Sequence, residues 1–383
     1  MFSRVMRFAA GATVVFGVQA ATAQQAAQNA QDKIVHVNQI QVIGSHNSYH
    51  TGFAPSEHKY LETNSPKTLR GLDYKHAPLG DQLTGGVRQL EIDIFNDPQG
   101  GRFAHPAIVK KVAAAGLPAD PDFDPKHEMN KPGFKVLHVQ DLDERVSCHL
   151  FTQCLTAIRD WSKQHPRHVP IFILVETKEG VPSEMPNAPA GDVFTSAIFD
   201  AVDAEIRSVF KPGEMITPDE VRGNASTLNE AIRTKGWPAL EKARGKVIFL
   251  LDQQHAGPAY AQGHPSLRGR ILFTNAIPGN PDAAFVEKND GTKAEIDDLV
   301  KQGYLVRTRT DEGTEQARTN DRTRLDRALS SGAQMLSTDY PTSEPSQWTS
   351  YSVGLPGGVT ARCNPVNKPA GCMDNLLELN GGK

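Results

Sequence analysis

Eight short runs rich in β-branched and aromatic residues recur along this 383-residue chain, separated by stretches with helical periodicity. The runs that read as strands are Ile40–His46, Val87–Phe95, Lys135–Val139, Val169–Lys178, Lys246–Asp252, Ile271–Ala276, Tyr304–Thr310 and Ala333–Tyr340. Strand and helix in alternation imply a parallel sheet, and eight such strands point to a closed (β/α)8 TIM barrel. An open doubly wound sheet is the competing architecture, but no Gly-rich dinucleotide loop follows the first run to support it. The length suits one barrel domain with insertions, and 38% hydrophobic residues are enough for its core.

Between the runs lie amphipathic helices. Leu150, Phe151, Cys154, Leu155, Ile158 and Trp161 make one apolar stripe, and Phe194, Ile198, Val202, Ile206 and Val209 make another. Thr217-Pro218-Asp219-Glu220 has the form of a capping box with proline at the first helical position. Gly332 marks the end of a helix over Asp321–Ser331. Two segments break the rhythm: residues 47–86 and 96–134, the connections after the first and second strands, are long and weakly periodic. Loops of that length in a compact domain are usually functional. Both follow strands with polar residues at their C-terminal ends, so they read as walls of an active site.

The N-terminus carries Arg4 and Arg7, then an apolar run from Phe8 to Val18, then Ala21-Thr22-Ala23. This is the pattern of a secretory signal cleaved after Ala23, which leaves residues 24–383 as the mature barrel, secreted or periplasmic. No second apolar stretch is long enough to span a bilayer, and the mean hydropathy of -0.43 argues against a polytopic membrane protein. A formal net charge of -3 without a Lys/Arg block lacks the electrostatic footprint of a nucleic-acid binder. The four cysteines fall in two close pairs, Cys148 with Cys154 and Cys363 with Cys372, which in an exported chain read as disulfides. Six residues of continuous helix would hold the Cα atoms about 9 Å apart, too far to bridge. The helix must therefore begin after Cys148. The tail beyond Tyr340 reads as an irregular strap held by Cys363–Cys372.

Barrel enzymes carry their chemistry where the strands end. The first strand ends Gly44-Ser45-His46-Asn47-Ser48-Tyr49-His50, and the second contains Leu90-Glu91-Ile92-Asp93-Ile94. Alternation turns the apolar three one way and Glu91 and Asp93 the other. Two like charges at a barrel mouth share a proton or need a cation. Glu176 on a later strand adds a third carboxylate, with Lys178 on the same side. Hard oxygen ligands of this kind suit calcium or magnesium rather than zinc. His46 and His138 both close expected strands that flank the pair, in the pH range that acid–base chemistry needs. His50, His149 and His165 read as structural, and His105, in the long connection after Asp93, stays open as an alternative to His138.

In order along the chain, Ser45-His46-Asn47-Ser48-Tyr49, Glu91-Ile92-Asp93, a strand ending in His138 and a strand ending in Glu176 resemble the catalytic half of the calcium-dependent phosphatidylinositol-specific phospholipases C, closest to their secreted bacterial branch. The resemblance runs from about Ile40 to Tyr340 and includes Ser337-Thr338-Asp339-Tyr340-Pro341. It implies a phosphodiesterase acting on an inositol phospholipid at a membrane surface. It implies His46 at the attacking hydroxyl, His138 at the leaving oxygen, and Asn47, Glu91, Asp93 and Glu176 around calcium, with Lys178 as a cationic phosphate contact. The departure is the insertion between Asp93 and His138, which in the animal enzymes is much shorter. A glycerophosphodiester phosphodiesterase shares the His and Glu-x-Asp features but usually carries Arg where this chain has Asn47. A non-catalytic inositol-lipid-binding barrel is the third reading, although every position expected for chemistry is filled.

Overall fold

The computed structural model describes residues 22–379. The leader expected over residues 1–23 lies outside the described residues except for its last two. Eight parallel strands form the barrel: β1 (Ile40–Ser45), β2 (Gln89–Ile94), β3 (Ile171–Thr177), β4 (Val247–Leu251), β5 (Phe273–Thr274), β6 (Phe285–Glu287), β7 (Leu305–Arg309) and β8 (Met335–Thr338). Their order around the sheet is β5-β4-β3-β2-β1-β8-β7-β6. One parallel bridge, Asn275 to Phe285, joins β5 to β6 and closes the ring. The core strands are buried along their whole length, as a sheet covered by helices requires.

The run Lys135–Val139, expected as the third barrel strand, is not one. It pairs only through isolated antiparallel bridges, Lys135 with Phe95 and Leu150, and Val139 with Asp143. The Lys135 ammonium turns inward beside Asp97, 3.4 Å away, and donates to the carbonyls of Lys131 and Gly133. Leu137 packs with Phe95, Phe103 and Met129 in a cluster separate from the barrel core. The segment is a flap over the rim, and β6, too short to show an alternation, takes the eighth place in the barrel.

The long connections after β1 and β2 are present and hold short helices: Pro55–Asn64, Pro66–Leu72 and Leu79–Thr84 in the first, Ala107–Ala114 in the second. The helix after Cys148 begins at Phe151, and the Cys148–Cys154 bridge spans 5.4 Å between Cα atoms. Cys363–Cys372 is also formed. The tail is more regular than a strap: β9 (Ala361–Cys363) runs antiparallel to the first half of β1. The two ends of the described chain pack under the N-terminal ends of the strands. Asp32 pairs with Arg244 at 2.6 Å and Arg88 with Glu378, both pairs buried. Among the described residues no helix is long and apolar enough to cross a membrane.

Candidate active site

The site begins with the register of two strands. Asp93 of β2 lies opposite Glu176 of β3, and the alternation of β2 places Glu91 on the same face. Glu91, Asp93 and Glu176 each offer an oxygen within 4.8 Å of the others. The Lys178 ammonium stands 2.9 Å from both Asp93 Oδ2 and Glu176 Oε1, and the two carboxylates hold it in the charged form. Burial pushes the Glu91 carboxyl up to about 7, opposed by the adjacent Arg307 and reinforced by Glu176. Burial raises Asp93 well above the usual carboxylate range, and repulsion from Glu176 adds to it. Both Asp93 oxygens are buried without a well-directed hydrogen bond, even with Lys178 alongside. Crowded, under-satisfied carboxylates are what a hard divalent cation relieves.

Gly44 lets the loop after β1 reach this cluster. It pairs with Gln89, and a Cβ there would meet the Gln89 side chain at 1.9 Å. The strands can therefore approach, and the loop is tied down on β2: Ser48 N–H donates to the Glu91 carbonyl at 3.0 Å, and Glu91 N–H to Ser48 Oγ at 2.8 Å. Asn47 sits between them with φ 47°, a left-handed conformation that asparagine tolerates. Its amide donates to the Tyr74 hydroxyl at 2.7 Å, and its Oδ1 accepts from the Tyr49 hydroxyl at 3.4 Å. Burial and the Asp93 charge raise Tyr49 well above its usual range, which keeps its proton in place. The three carboxylates fit calcium as hard oxygen donors.

His46 enters from the end of β1, its Nδ1 2.7 Å from Asp339 Oδ1 and its Nε2 3.6 Å from Glu91 Oε1. Arg309 of β7 holds the other Asp339 oxygen at 3.2 Å. Burial, then the charges of Arg309 and Arg307, lower His46 well below its ordinary value. Asp339 at Nδ1 orients the ring so that Nε2 faces the carboxylate cluster through Glu91.

His138 reaches the site from the flap, not from a strand end. Its Nδ1 lies 3.0 Å from Asp143 Oδ2, across the tight turn that Val139 and Asp143 close. Burial lowers His138, and the hydrogen bond to Asp143 opposes that shift. Burial by itself would raise the Asp143 carboxyl, but the adjacent His50 ring and the hydrogen bonds from His138 and His50 hold it well below its usual range. His138 is close enough to His46 to lower it further. His105 is elsewhere, in the wall of a separate cavity of about 500 Å³ lined by Val109, Val112, Leu117 and Phe123, to which none of the clustered carboxylates contributes.

Sequence reading missed several members of this site. Arg307 links Glu91, Glu287 and Asn289, while Arg309 and Asp339 support His46. The signal for the arginines was present: Arg307-Thr308-Arg309 places two like charges on one strand face, the positive counterpart of Glu91-Ile92-Asp93. Asp143 had none, because its partnership depends on how the flap folds.

The family model for calcium-dependent phosphoinositide phospholipase C matches residues 35–365. Among solved structures, the apo calcium-dependent phosphoinositol-specific phospholipase C of a Pseudomonas species superposes with a TM-score of 0.52 at 16% identity, covering 87% of this chain and 99% of that one. A myo-inositol complex of the Pseudomonas enzyme gives a TM-score of 0.52 at 16% identity, covering 88% and 97%. At that identity the structures speak for the fold. No curated protein sequence matches the chain. The family match, which spans most of the chain, settles the assignment: this protein belongs to the calcium-dependent phosphoinositide phospholipase C family of phosphodiesterases.

Proposed function

We propose that the mature chain, residues 24–383, is a secreted or periplasmic single-domain enzyme that cleaves phosphatidylinositol, or a related inositol phospholipid, to diacylglycerol and a cyclic inositol phosphate. The observation that carries this reading is the pair of carboxylate-held histidines, His46 on Asp339 and His138 on Asp143, flanking the Glu91, Asp93 and Glu176 cluster. The inositol class is supported by the family and by the myo-inositol complex of the Pseudomonas enzyme.

An inositol phospholipid brings its own nucleophile, the ring hydroxyl beside the phosphodiester, so attack is intramolecular and gains from proximity. His46 Nε2, with the ring oriented by Asp339 at Nδ1, withdraws the hydroxyl proton as a positioned general base. Glu91, Asp93 and Glu176 would hold calcium, with Asn47 as a fourth ligand, and Lys178 stands nearby as a second cation for the phosphoryl oxygens. Calcium bound there supplies charge neutralisation at the phosphoryl group. His138 donates a proton to the departing diacylglycerol oxygen, a role typically worth about 10²–10⁴-fold in rate.

Turnover of phosphatidylinositol with and without a chelator, followed by phosphorus NMR, tests the reading. A cyclic inositol phosphate should appear only with calcium, and Glu91→Ala or Asp93→Ala should abolish the metal-dependent rate. A substrate with an activated leaving group should partly rescue His138→Ala but not His46→Ala. Direct hydrolysis with no cyclic species would instead favour a glycerophosphodiester phosphodiesterase, and rescue of His105→Ala in place of His138→Ala would move the acid to the long connection.

A further inference from the structure

Asp143 holds two histidines. Its Oδ2 faces His138 Nδ1 at 3.0 Å, and its Oδ1 faces His50 Nε2, also at 3.0 Å. His50 and Asp143 are both fully buried, so this is a desolvated chain of imidazole, carboxylate and imidazole, not a surface contact. His50 is itself fixed. Its ring lies 4.8 Å from the ring of Tyr74 and edge-on to Phe53 at 6.1 Å, its N–H donates to the Asn47 carbonyl, and its carbonyl accepts from His76 N–H. The remaining ring nitrogen, Nδ1, is buried with no hydrogen-bond partner.

That orphan nitrogen decides the tautomer. A proton on Nδ1 would be buried and unsatisfied, whereas a proton on Nε2 points at Asp143 Oδ1. His50 is then a donor to the carboxylate, and it pins the far oxygen so that the near one stays aimed at His138. Asp143 sits in a five-residue turn with its own backbone bonded to Val139 and His138, and the Val139–Asp143 hairpin alone does not fix its side-chain torsion. A second anchor does.

We infer that His50 is a positioning residue for His138, acting through Asp143 to fix the ring that protonates the leaving group. This rests on the reading of His138 as the general acid. Partners that orient a catalytic group from behind in this way typically cost 10–100-fold in activity when removed.

The test uses the mature, disulfide-bonded protein with calcium. Steady-state rates of wild type, His50→Phe and His50→Gln are compared on phosphatidylinositol and on an inositol phosphodiester with a nitrophenyl leaving group. The expected result is a kcat on phosphatidylinositol lowered roughly 10–100-fold in His50→Phe, with KM and the nitrophenyl rate nearly unchanged. His50→Gln, which keeps a donor at the Nε2 position, should recover most of the loss. Equal losses on both substrates, no loss on either, or no recovery with Gln would overturn the inference. Nitrogen-15 spectra of the wild-type histidines judge the contact without any variant: the proton belongs on Nε2 of His50, while His138 carries one on Nδ1 in addition to the Nε2 proton it gives up as an acid, and a His50 proton on Nδ1 overturns it. His138→Ala separates the two levels. If the nitrophenyl substrate does not rescue it, the acid assignment fails first, whatever the His50 spectra show.

Discussion

Arg307 stands between two acidic groups at the barrel rim, with Glu91 on one side and Glu287 on the other. Asp252, just past β4, faces Glu287, and burial, then that neighbour, pushes its carboxyl up to about 11. Arg307 holds Glu287 below its usual range against the effect of burial. The pair is built to share one proton, with Arg307 favouring the charge on Glu287. Asp252→Asn, neutral and of the same shape, should cost under about 1 kcal/mol, whereas Glu287→Gln should cost roughly 1.5–3 kcal/mol by weakening a charged hydrogen bond to buried Arg307. Urea unfolding of both variants in chelator checks the order, and equal costs would mean the proton is shared differently. Period-two spacing made Glu91 and Asp93 readable because a strand must turn alternate residues to one face. Nothing comparable announces Asp252 or Glu287, since their meeting depends on which strands the barrel brings together. The same limit applied to His50, a histidine in a loop with a bland sequence context that the fold sets against Asp143.

At the level of elements, the junction between the helix Phe151–Gln164 and β3 carries a pH response of its own. His168 is buried there, with Nε2 on Ser162 Oγ at 2.7 Å and Nδ1 on the Val169 carbonyl. Burial lowers it from 6.5 to about 4. The unfolded chain then takes up the proton first, so this stability is complete above about pH 6.5 and is lost as pH falls toward 4. The drop corresponds to roughly 3 kcal/mol. In urea midpoints measured across that range, His168→Gln should show a flatter acid limb than wild type; an unchanged slope would assign the acid sensitivity to other groups. The start of the preceding helix was legible because disulfide geometry forbids Cys148 and Cys154 from sharing a continuous helix. The flap was not. Lys135–Val139 has the composition of a strand, and only the inward Lys135, gripped by loop carbonyls, shows why it stays out of the barrel. The strand that replaces it, Phe285–Glu287, is three residues long and carries too little pattern to detect.

Across the whole molecule, the eightfold count came out right although one expected strand was wrong and another was unseen, because alternation constrains the architecture more firmly than it constrains any one strand. The ring is not uniformly held. Beneath it, the segments around Asp32 and Glu378 are bolted on by Asp32–Arg244, Arg88–Glu378 and β9. Between β2, β3 and β4 the ladders run for six and five residue pairs. The short β1–β2 pairing at Gly44 and Gln89 is backed by Arg88 N–H on the Ile43 carbonyl and by the two Ser48–Glu91 hydrogen bonds. In contrast, β5 and β6 meet at the single bridge from Asn275 to Phe285. Local opening follows the weakest set of backbone hydrogen bonds. Deuterium should therefore enter the Ala276 amide, which donates to the Phe285 carbonyl at 3.2 Å, well before the amides of Leu174 and Leu250. Uniform protection around the ring in exchange mass spectrometry would contradict this. If the order holds, the enzyme is a split ring whose gap lies across the barrel from the catalytic strands, so that it can breathe without disturbing the spacing of Glu91, Asp93 and Glu176.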